Sequence, residues 1–161
     1  MRDAFTRVLQ CLAAEDPNLL LVTGDLGFGV LKPFWEAYPD QFINAGIAEQ
    51  AMTGLAAGLA REGKTVLTYS IGNFPTLRCL EQIRNDCAYH NANVKIVCVG
   101  GGFVYGSLGM SHQMCIRDRT RKLPRLGWPY WGISYIHVAR SITAWGRMSS
   151  TRFSASSLWR A

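Results

Sequence analysis

Three apolar segments constrain the fold more than any other feature of this sequence. The segments are "NLLLVTGD" (18–25), "TVLTYSI" (65–71) and "NVKIVCVG" (93–100), and each is almost continuously apolar. This composition is typical of strands that are buried on both faces of a sheet. A segment with helical periodicity precedes the first of them (2–15), and two more separate the three (47–61 and 76–89). Such alternation predicts βαβ units, and therefore an α/β domain with a parallel sheet and helices on both faces.

Two shorter elements fit between the first strand and the second long helix. The segment "KPFWEAYP" (32–39) predicts a short helix that Pro39 stops, and "QFINAG" (41–46) predicts a short strand. At 161 residues the chain has room for one domain of ordinary size.

No segment of the sequence predicts a membrane or secretory location. A membrane helix needs about 18 apolar residues in a row, and the densest apolar run is "LLLV" (19–22). The first ten residues have the pattern of an amphipathic helix and lack the apolar centre of a signal peptide. The five cysteines include no C-x-x-C pair, which predicts free thiols in a reducing cytoplasm and no metal site.

The net charge of +6 is confined to the last third of the chain. Residues 1–113 hold eight Lys/Arg and ten Asp/Glu, whereas residues 114–161 hold nine Lys/Arg and one acidic residue, Asp118. Nucleic-acid binding would depend on this segment alone, so we predict no nucleic-acid partner.

The start of the basic segment suggests why its composition differs. The residues "MCIRDR" (114–119) are encoded by one reading frame of the transposase mosaic-end sequence used in DNA library preparation, ATG TGT ATA AGA GAC AG. We therefore predict that 114–161 is a non-native, unstructured tail from a sequencing adapter or frameshift in a metagenomic assembly. Residues 1–113 would then be an incomplete, truncated domain.

The helical segment "NAGIAEQAMTGLAAGLA" (44–60) combines small apolar residues with a single acidic residue, Glu49. Gly54 and Gly58 lie on one helix face, and two glycines in a helix predict a close approach, plausible for a subunit interface. Glu49 is either exposed on the first turn, where the helix dipole favours it, or buried and functional with a raised pKa. The residues alone leave both alternatives open.

Three motifs together resemble a known family. They are "NAGIAEQAMTGLAAGLAREGK", "YSIGNFPTLRCLEQIRND" and "GGFVYGSLGMSHQ". In this order and spacing they resemble the pyrimidine-binding domain of the transketolase family, within the thiamine diphosphate-binding fold. The sequence is most similar to the C-terminal chains of split transketolases and to the middle domain of 1-deoxy-D-xylulose-5-phosphate synthase. The resemblance covers nearly all of 1–113 and none of 114–161.

The resemblance implies how thiamine diphosphate would be held. Glu49 matches the glutamate that donates a hydrogen bond to N1′ of the aminopyrimidine. A donor at N1′ favours the 4′-imino tautomer, whose nitrogen removes the C2 proton of the thiazolium. This role requires a protonated carboxyl that is shielded from water. Phe74 matches the aromatic residue that stacks on the aminopyrimidine. Tyr69 and Ile71, at the end of the strand, are alternative positions for that contact.

Two further residues are implied to face the substrate. His112 matches a substrate-facing histidine, which makes it a catalytic and substrate-binding candidate together with Glu49. Arg78 either meets a phosphate or carboxylate of the substrate or solvates its helix. Gly100 and Leu108 stand where sugar-handling transketolases have a histidine and an aspartate, so the identity of the sugar is left open.

The sequence lacks the family's motif for the diphosphate and its metal ion, a "GDG" followed by an asparagine. The segment "TGDLGFG" (23–29) lies at a strand turn and has no such asparagine. The resemblance therefore implies an N-terminal-section partner subunit that supplies Mg²⁺ or Ca²⁺, a heterotetramer, and no activity of this chain alone.

The activity implied by the resemblance is transfer of a two-carbon ketol unit between sugar phosphates or related ketoses and aldoses. Synthase-like condensation of a decarboxylated 2-oxoacid with an aldehyde is an alternative within the family. A 2-oxoacid dehydrogenase E1 β-type subunit is less favoured. A non-catalytic interface subunit is an alternative from another class.

The origin of the tail can be tested on the source DNA. We expect resequencing across the codons for residues 100–127 to remove the mosaic-end codons and to show a continuing helix, such as an acidic "ED" run, after His112. Retention of those codons would contradict the predicted artefact and would make the domain a remnant fused to foreign coding sequence.

Overall fold

A computed structural model describes residues 2–100, 104–108 and 112 of the chain. The elements in chain order are α1 (Arg2–Glu15), β1 (Leu19–Thr23), α2 (Phe28–Ala37), a 3-10 turn (Pro39–Gln41), β2 (Phe42–Asn44), α3 (Glu49–Arg61), β3 (Thr65–Ile71), α4 (Leu80–Gln82), a π-helical segment (Ile83–Ala88), β4 (Val94–Val99) and a second 3-10 turn (Gly106–Leu108). The predicted tail, 114–161, lies outside the described residues.

The described strands form one parallel sheet in the order β2-β1-β3-β4. In the register of the central pairs, Leu21 lies beside Phe42 on one side and Leu67 on the other, and Tyr69 lies beside Val97. Every pairing is parallel, so the carboxyl ends of all these strands meet at one edge. The predicted α/β fold with a parallel sheet is confirmed.

Helices cover both faces of this sheet, as predicted. Helices α1 and α2 pack on one face, and their core includes Leu9, Leu31, Phe34 and Tyr69. Helix α3 and the π-helical segment pack on the other face, and that core includes Met52, Ala56, Val66, Cys87 and Ile96. Neighbouring strand residues point to opposite faces, which separates the two cores.

The predicted short helix begins earlier than expected. A start at Lys32 would place Pro33 in the first turn, where proline is favoured. In the structure α2 starts at Phe28, so Pro33 lies inside the helix. Gly27 precedes the helix in the left-handed conformation with φ 84°. This glycine turns the chain out of the β1 loop and allows α2 to begin four residues before Lys32.

The predicted helix over 76–89 is only partly formed. Residues 72–79 are turns, and a short α4 then continues as the π-helical segment. Thr76 Oγ1 donates to the carbonyl of Gly72, and Cys79 Sγ donates to the carbonyl of Phe74. Such local side-chain hydrogen bonds compete with helix formation. They hold the chain after β3 as a turn.

No helix in the part of the chain that the structure describes is long and apolar enough to span a bilayer.

The cysteines provide a test of this packing. Cys11 is exposed, whereas Cys79, Cys87 and Cys98 are buried. Burial raises the pKa of Cys87 to about 11 and that of Cys98 to about 12. In a Cys115→Ser background we expect a thiol reagent at pH 8 to modify Cys11 rapidly and the other three only after denaturation, because the thiolate is the reactive form.

Mass spectrometry of the modified peptides would identify the reacting residues. Rapid modification of Cys87 or Cys98 in the native protein would contradict the described core.

Candidate functional site

Glu49 is the first residue of α3 and is almost completely buried, with 3% of its surface exposed. The alternative of an exposed first-turn glutamate is therefore wrong. The residues before it form a loop between β2 and α3, at the carboxyl edge of the sheet. Thr53 Oγ1 donates to the Glu49 carbonyl over 2.8 Å and stabilises the first turn.

The turn after β1 covers one side of the Glu49 side chain. A Cβ atom at Gly24 would lie 3.5 Å from Glu49 Cγ and 3.6 Å from Oε1. The glycine backbone therefore lies against the carboxyl group, and a side chain larger than a methyl group would enter the space beside it.

Asn44 joins this turn to the loop before α3. Its Oδ1 accepts hydrogen bonds from the backbone N–H groups of Asp25 (3.1 Å) and Gly46 (3.0 Å). Its Nδ2 donates to Asp25 Oδ1 over 2.8 Å, and Asp25 has a left-handed backbone with φ 58°. The sequence alone predicted no role for Asn44, although an asparagine at the end of a strand is a recognisable turn signal.

Arg78 is the charged partner of Glu49. Its Nη1 donates to Glu49 Oε2 over 2.9 Å, and 46% of its side chain is exposed. The same guanidinium lies over the Phe74 ring, with Cζ 4.2 Å from the ring centroid. Gln50 Nε2 also donates to the Arg78 carbonyl over 3.1 Å. The turn after β3 is thus attached to the start of α3 through both side chain and backbone.

The direction of this hydrogen bond has a chemical consequence. A guanidinium donates only, so the Glu49 oxygen accepts, and the two groups have the geometry of a salt bridge. Burial of a carboxylate is unfavourable unless it is paired in this way. The prediction that Glu49 carries a proton stays a prediction.

Phe74 and His112 lie together beside this ion pair. Their ring centroids are 4.9 Å apart at an interplanar angle of 67°, and the His112 and Tyr105 centroids are 6.5 Å apart. The structure therefore brings four predicted site residues to the same edge of the sheet. They are Glu49, Phe74, Arg78 and His112.

The structure places Tyr69 and Ile71 in the other layer. Tyr69 is fully buried, its ring stacks on Phe5 with centroids 5.7 Å apart, and burial raises the pKa of its hydroxyl. Ile71 packs against the same core. Both point toward the face that α1 and α2 cover, so they do not meet Glu49.

The loop after β4 differs from the sugar-handling pattern for a visible reason. Gly100 has φ 71°, and the Tyr105 ring occupies the place where a Cβ of residue 100 would stand. A histidine at this position would displace that ring. Leu108, at the other departure from the pattern, is exposed.

The described residues fit a planar nitrogen heterocycle. The guanidinium of Arg78 is itself planar, donates to the Glu49 carboxyl through Nη1 and lies over the Phe74 ring with its Cζ. These are the contacts that Glu49 and Phe74 would give an aminopyrimidine. Among residues 2–100, 104–108 and 112, no group of three or more His, Cys, Asp or Glu residues is arranged to hold a metal ion.

Comparison with known proteins defines the class to which this fold and site belong. Residues 1–118 match the family described as transketolase, pyrimidine binding domain. The chain belongs to this family.

Two curated relatives and one solved structure give a more specific comparison than the family match does. The chain is similar to one of the subunits of an apulose-4-phosphate transketolase from Phocaeicola vulgatus, with 37% identity over 159 residues that cover 87% of this chain and 51% of the relative. It is also similar to a putative transketolase C-terminal section of Methanocaldococcus jannaschii, with 43% identity over 116 residues that cover 71% of this chain and 37% of the relative. The solved structure is a split gene transketolase, inactive β4 tetramer, with a TM-score of 0.58 and 35% identity over 63% of this chain and 34% of that chain.

The chain thus spans about half the length of one curated relative and about a third of the other.

The ion pair gives a prediction about stability. Replacing Arg78 by methionine leaves the buried Glu49 carboxyl without its partner, and we expect the free energy of unfolding at neutral pH to fall by about 1–3 kcal/mol. The lower part of this range is expected because water screens the half-exposed guanidinium. Denaturant titration of the full chain measures the change.

The double variant isolates the contribution of the charge. In a Glu49→Gln background we expect Arg78→Met to cost less than in the wild type, since no buried charge is then left unpaired. Equal costs in the two backgrounds would contradict the ion pair.

Proposed function

We propose that this chain is the pyrimidine-binding subunit of a split transketolase. In this proposal it transfers a two-carbon ketol unit with thiamine diphosphate, between sugar phosphates or related ketoses and aldoses, in the cytoplasm. The observation that carries the proposal is the buried Glu49 carboxyl, whose Arg78 partner lies over the ring of Phe74. Membership in the pyrimidine-binding family and similarity to proteins named as split transketolase subunits support it.

Glu49 and Phe74 would hold the aminopyrimidine half of the cofactor. Glu49 would carry a proton on its carboxyl and donate a hydrogen bond through it to N1′, and the Gly24 backbone beside the carboxyl would limit access of water. Phe74 would stack on the ring and fix its plane. Thiamine diphosphate, when bound, supplies the electron sink for carbanion chemistry.

His112 would face the donor sugar. Its ring lies against Phe74, so it would flank the bound ring system and orient a hydroxyl of the substrate by hydrogen bonding. Imidazole suits this task because one nitrogen donates while the other accepts.

A partner subunit would complete the site. The diphosphate and its Mg²⁺ or Ca²⁺ would be held by an N-terminal-section subunit in a heterotetramer, and this chain alone would be inactive. Helix α3 offers a surface for assembly: a Cβ at Gly54 or Gly58 would meet nothing within 4 Å. Leu55 and Ile47 on the same part of the chain are 41% and 80% exposed.

Substitution of Glu49 tests the catalytic proposal. With the partner subunit present, we expect Glu49→Gln to lower cofactor-dependent ketol transfer by about 10²–10⁴-fold, the usual contribution of a positioned proton donor. We expect Glu49→Ala to abolish binding of thiamine diphosphate while the subunits still assemble. Calorimetry and size-exclusion chromatography measure the two properties separately.

Glu36→Gln is the matched control, because Glu36 is an exposed glutamate whose partner is Lys32, one turn away on α2. It should leave binding and activity unchanged. Full activity of Glu49→Ala would contradict the proposal and would favour a non-catalytic interface subunit.

Substitution on α3 tests the assembly surface. We expect Leu55→Arg to weaken association with the partner or with a second copy, because it places a charge in an apolar contact. Val8→Arg is the control: Val8 has a similar exposed fraction of 43% but lies on α1, across the sheet. Sedimentation velocity would measure the oligomers, and equal association of the two variants would contradict the proposed surface.

A further inference from the structure

The Arg78 guanidinium makes both contacts that the proposed site offers to an aminopyrimidine. Its Nη1 donates to Glu49 Oε2 over 2.9 Å, and its Cζ lies over the Phe74 ring, 4.2 Å from the ring centroid. A planar group that bonds Glu49 and lies over Phe74 therefore already occupies this position. An aminopyrimidine making the same contacts would require the space that the guanidinium fills.

We propose that Arg78 is a placeholder. Its guanidinium occupies the pyrimidine subsite in the cofactor-free subunit and rotates out to solvent when the cofactor binds. The inference rests on the proposed function, since it takes Glu49 and Phe74 as the pyrimidine contacts. Arg78 is a positioning residue in this account. It acts on cofactor binding through its competition for those two side chains.

The turn after β3 permits such a movement. Almost half of the Arg78 side chain is exposed, so solvent is available to the displaced guanidinium. The backbone of Arg78 is anchored independently: its N–H donates to the Asn73 carbonyl over 3.1 Å, and its carbonyl accepts from Gln50 over 3.1 Å. The side chain can rotate outward while these backbone bonds stay in place.

The buried carboxylate explains why a placeholder is useful. Glu49 is only 3% exposed. Among the contacts described for its side chain, Arg78 is the partner that balances its charge when no cofactor is bound. The guanidinium supplies the counter-charge and covers the ring of Phe74 from water. The same pairing then competes with the cofactor.

This competition reduces the apparent affinity for an aminopyrimidine. When only a fraction of molecules has the binding-competent arrangement, the apparent dissociation constant rises by the inverse of that fraction. If Arg78 is displaced in about one molecule in ten, its removal should tighten binding about tenfold.

The experiment measures binding of 4-amino-5-hydroxymethyl-2-methylpyrimidine to the full chain by calorimetry. The proteins are the wild type, Arg78→Met and the control Arg84→Met. Methionine has a long flexible side chain that cannot donate to Glu49, and Arg84 is an exposed arginine whose Nε donates to Asn85. We expect Arg78→Met to bind about tenfold more tightly than the wild type and Arg84→Met to bind equally.

Unchanged or weaker binding by Arg78→Met would overturn the placeholder, because a residue that merely supports the site should lower the affinity when removed. Absence of binding to Arg78→Met would overturn it as well, since the subsite is open in that variant. Circular dichroism checks that the variant is folded.

Salt provides a second measurement that needs no substitution. Raising the ionic strength from about 0.05 M to 0.5 M weakens a half-exposed ion pair, so the wild type should bind the pyrimidine more tightly at high salt. Arg84→Met should follow the wild type. An affinity that does not rise with salt would contradict competition by the ion pair, even if Arg78→Met were unfolded.

Glu49→Ala in the Arg78→Met background separates this inference from the proposed function. Loss of binding in the double variant would show that the aminopyrimidine ring binds at Glu49. If Arg78→Met then failed to bind more tightly than the wild type, the placeholder inference would be overturned and the proposed function would stand. Retained tight binding in the double variant would show that the ring does not use Glu49, and the proposed function would fail.

Discussion

A carboxylate buried at the start of α3 and paired with Arg78 is the interaction around which the site is arranged. Three connections converge on it: the Gly24 turn lies against the carboxyl, Asn44 ties that turn to the loop before α3, and the turn after β3 supplies the guanidinium. Each comes from a loop at the carboxyl edge of the sheet. Ligands bind at this edge in open α/β folds, and a buried charge there needs a partner.

The parallel sheet is what allows these loops to meet. Strands β1, β2 and β3 lie side by side with their carboxyl ends together, so residues far apart in the sequence, such as Asn44 and Phe74, reach one region. The turns over 72–79, which follow β3 in place of a continuous helix, bring Arg78 to Glu49.

Much of the fold could be predicted because the strands are continuously apolar and the helices periodic. The bounds predicted for α1 and β3 match the structure, and both layers of helices are where alternation of strand and helix places them. The start of α2 and the helix over 76–89 were wrong because a left-handed glycine and local side-chain hydrogen bonds overrode helical periodicity.

The site was predicted in part, and mainly through the resemblance. Periodicity could not decide whether Glu49 is buried, because its burial depends on Gly24, which is distant in sequence. The pairing of Arg78 with Glu49 was missed since sequence spacing cannot report a tertiary contact across 29 residues. Tyr69 was considered for its place near the strand end, but the alternation of a strand turns its side chain to the opposite face.

The most direct test of the central claim is a crystal structure of the chain assembled with the proposed partner subunit and thiamine diphosphate. The account predicts a Glu49 carboxyl oxygen about 3 Å from N1′ of the aminopyrimidine, the Phe74 ring stacked on that ring, and Arg78 turned out to solvent. A cofactor bound elsewhere, with Arg78 still paired with Glu49, would contradict it.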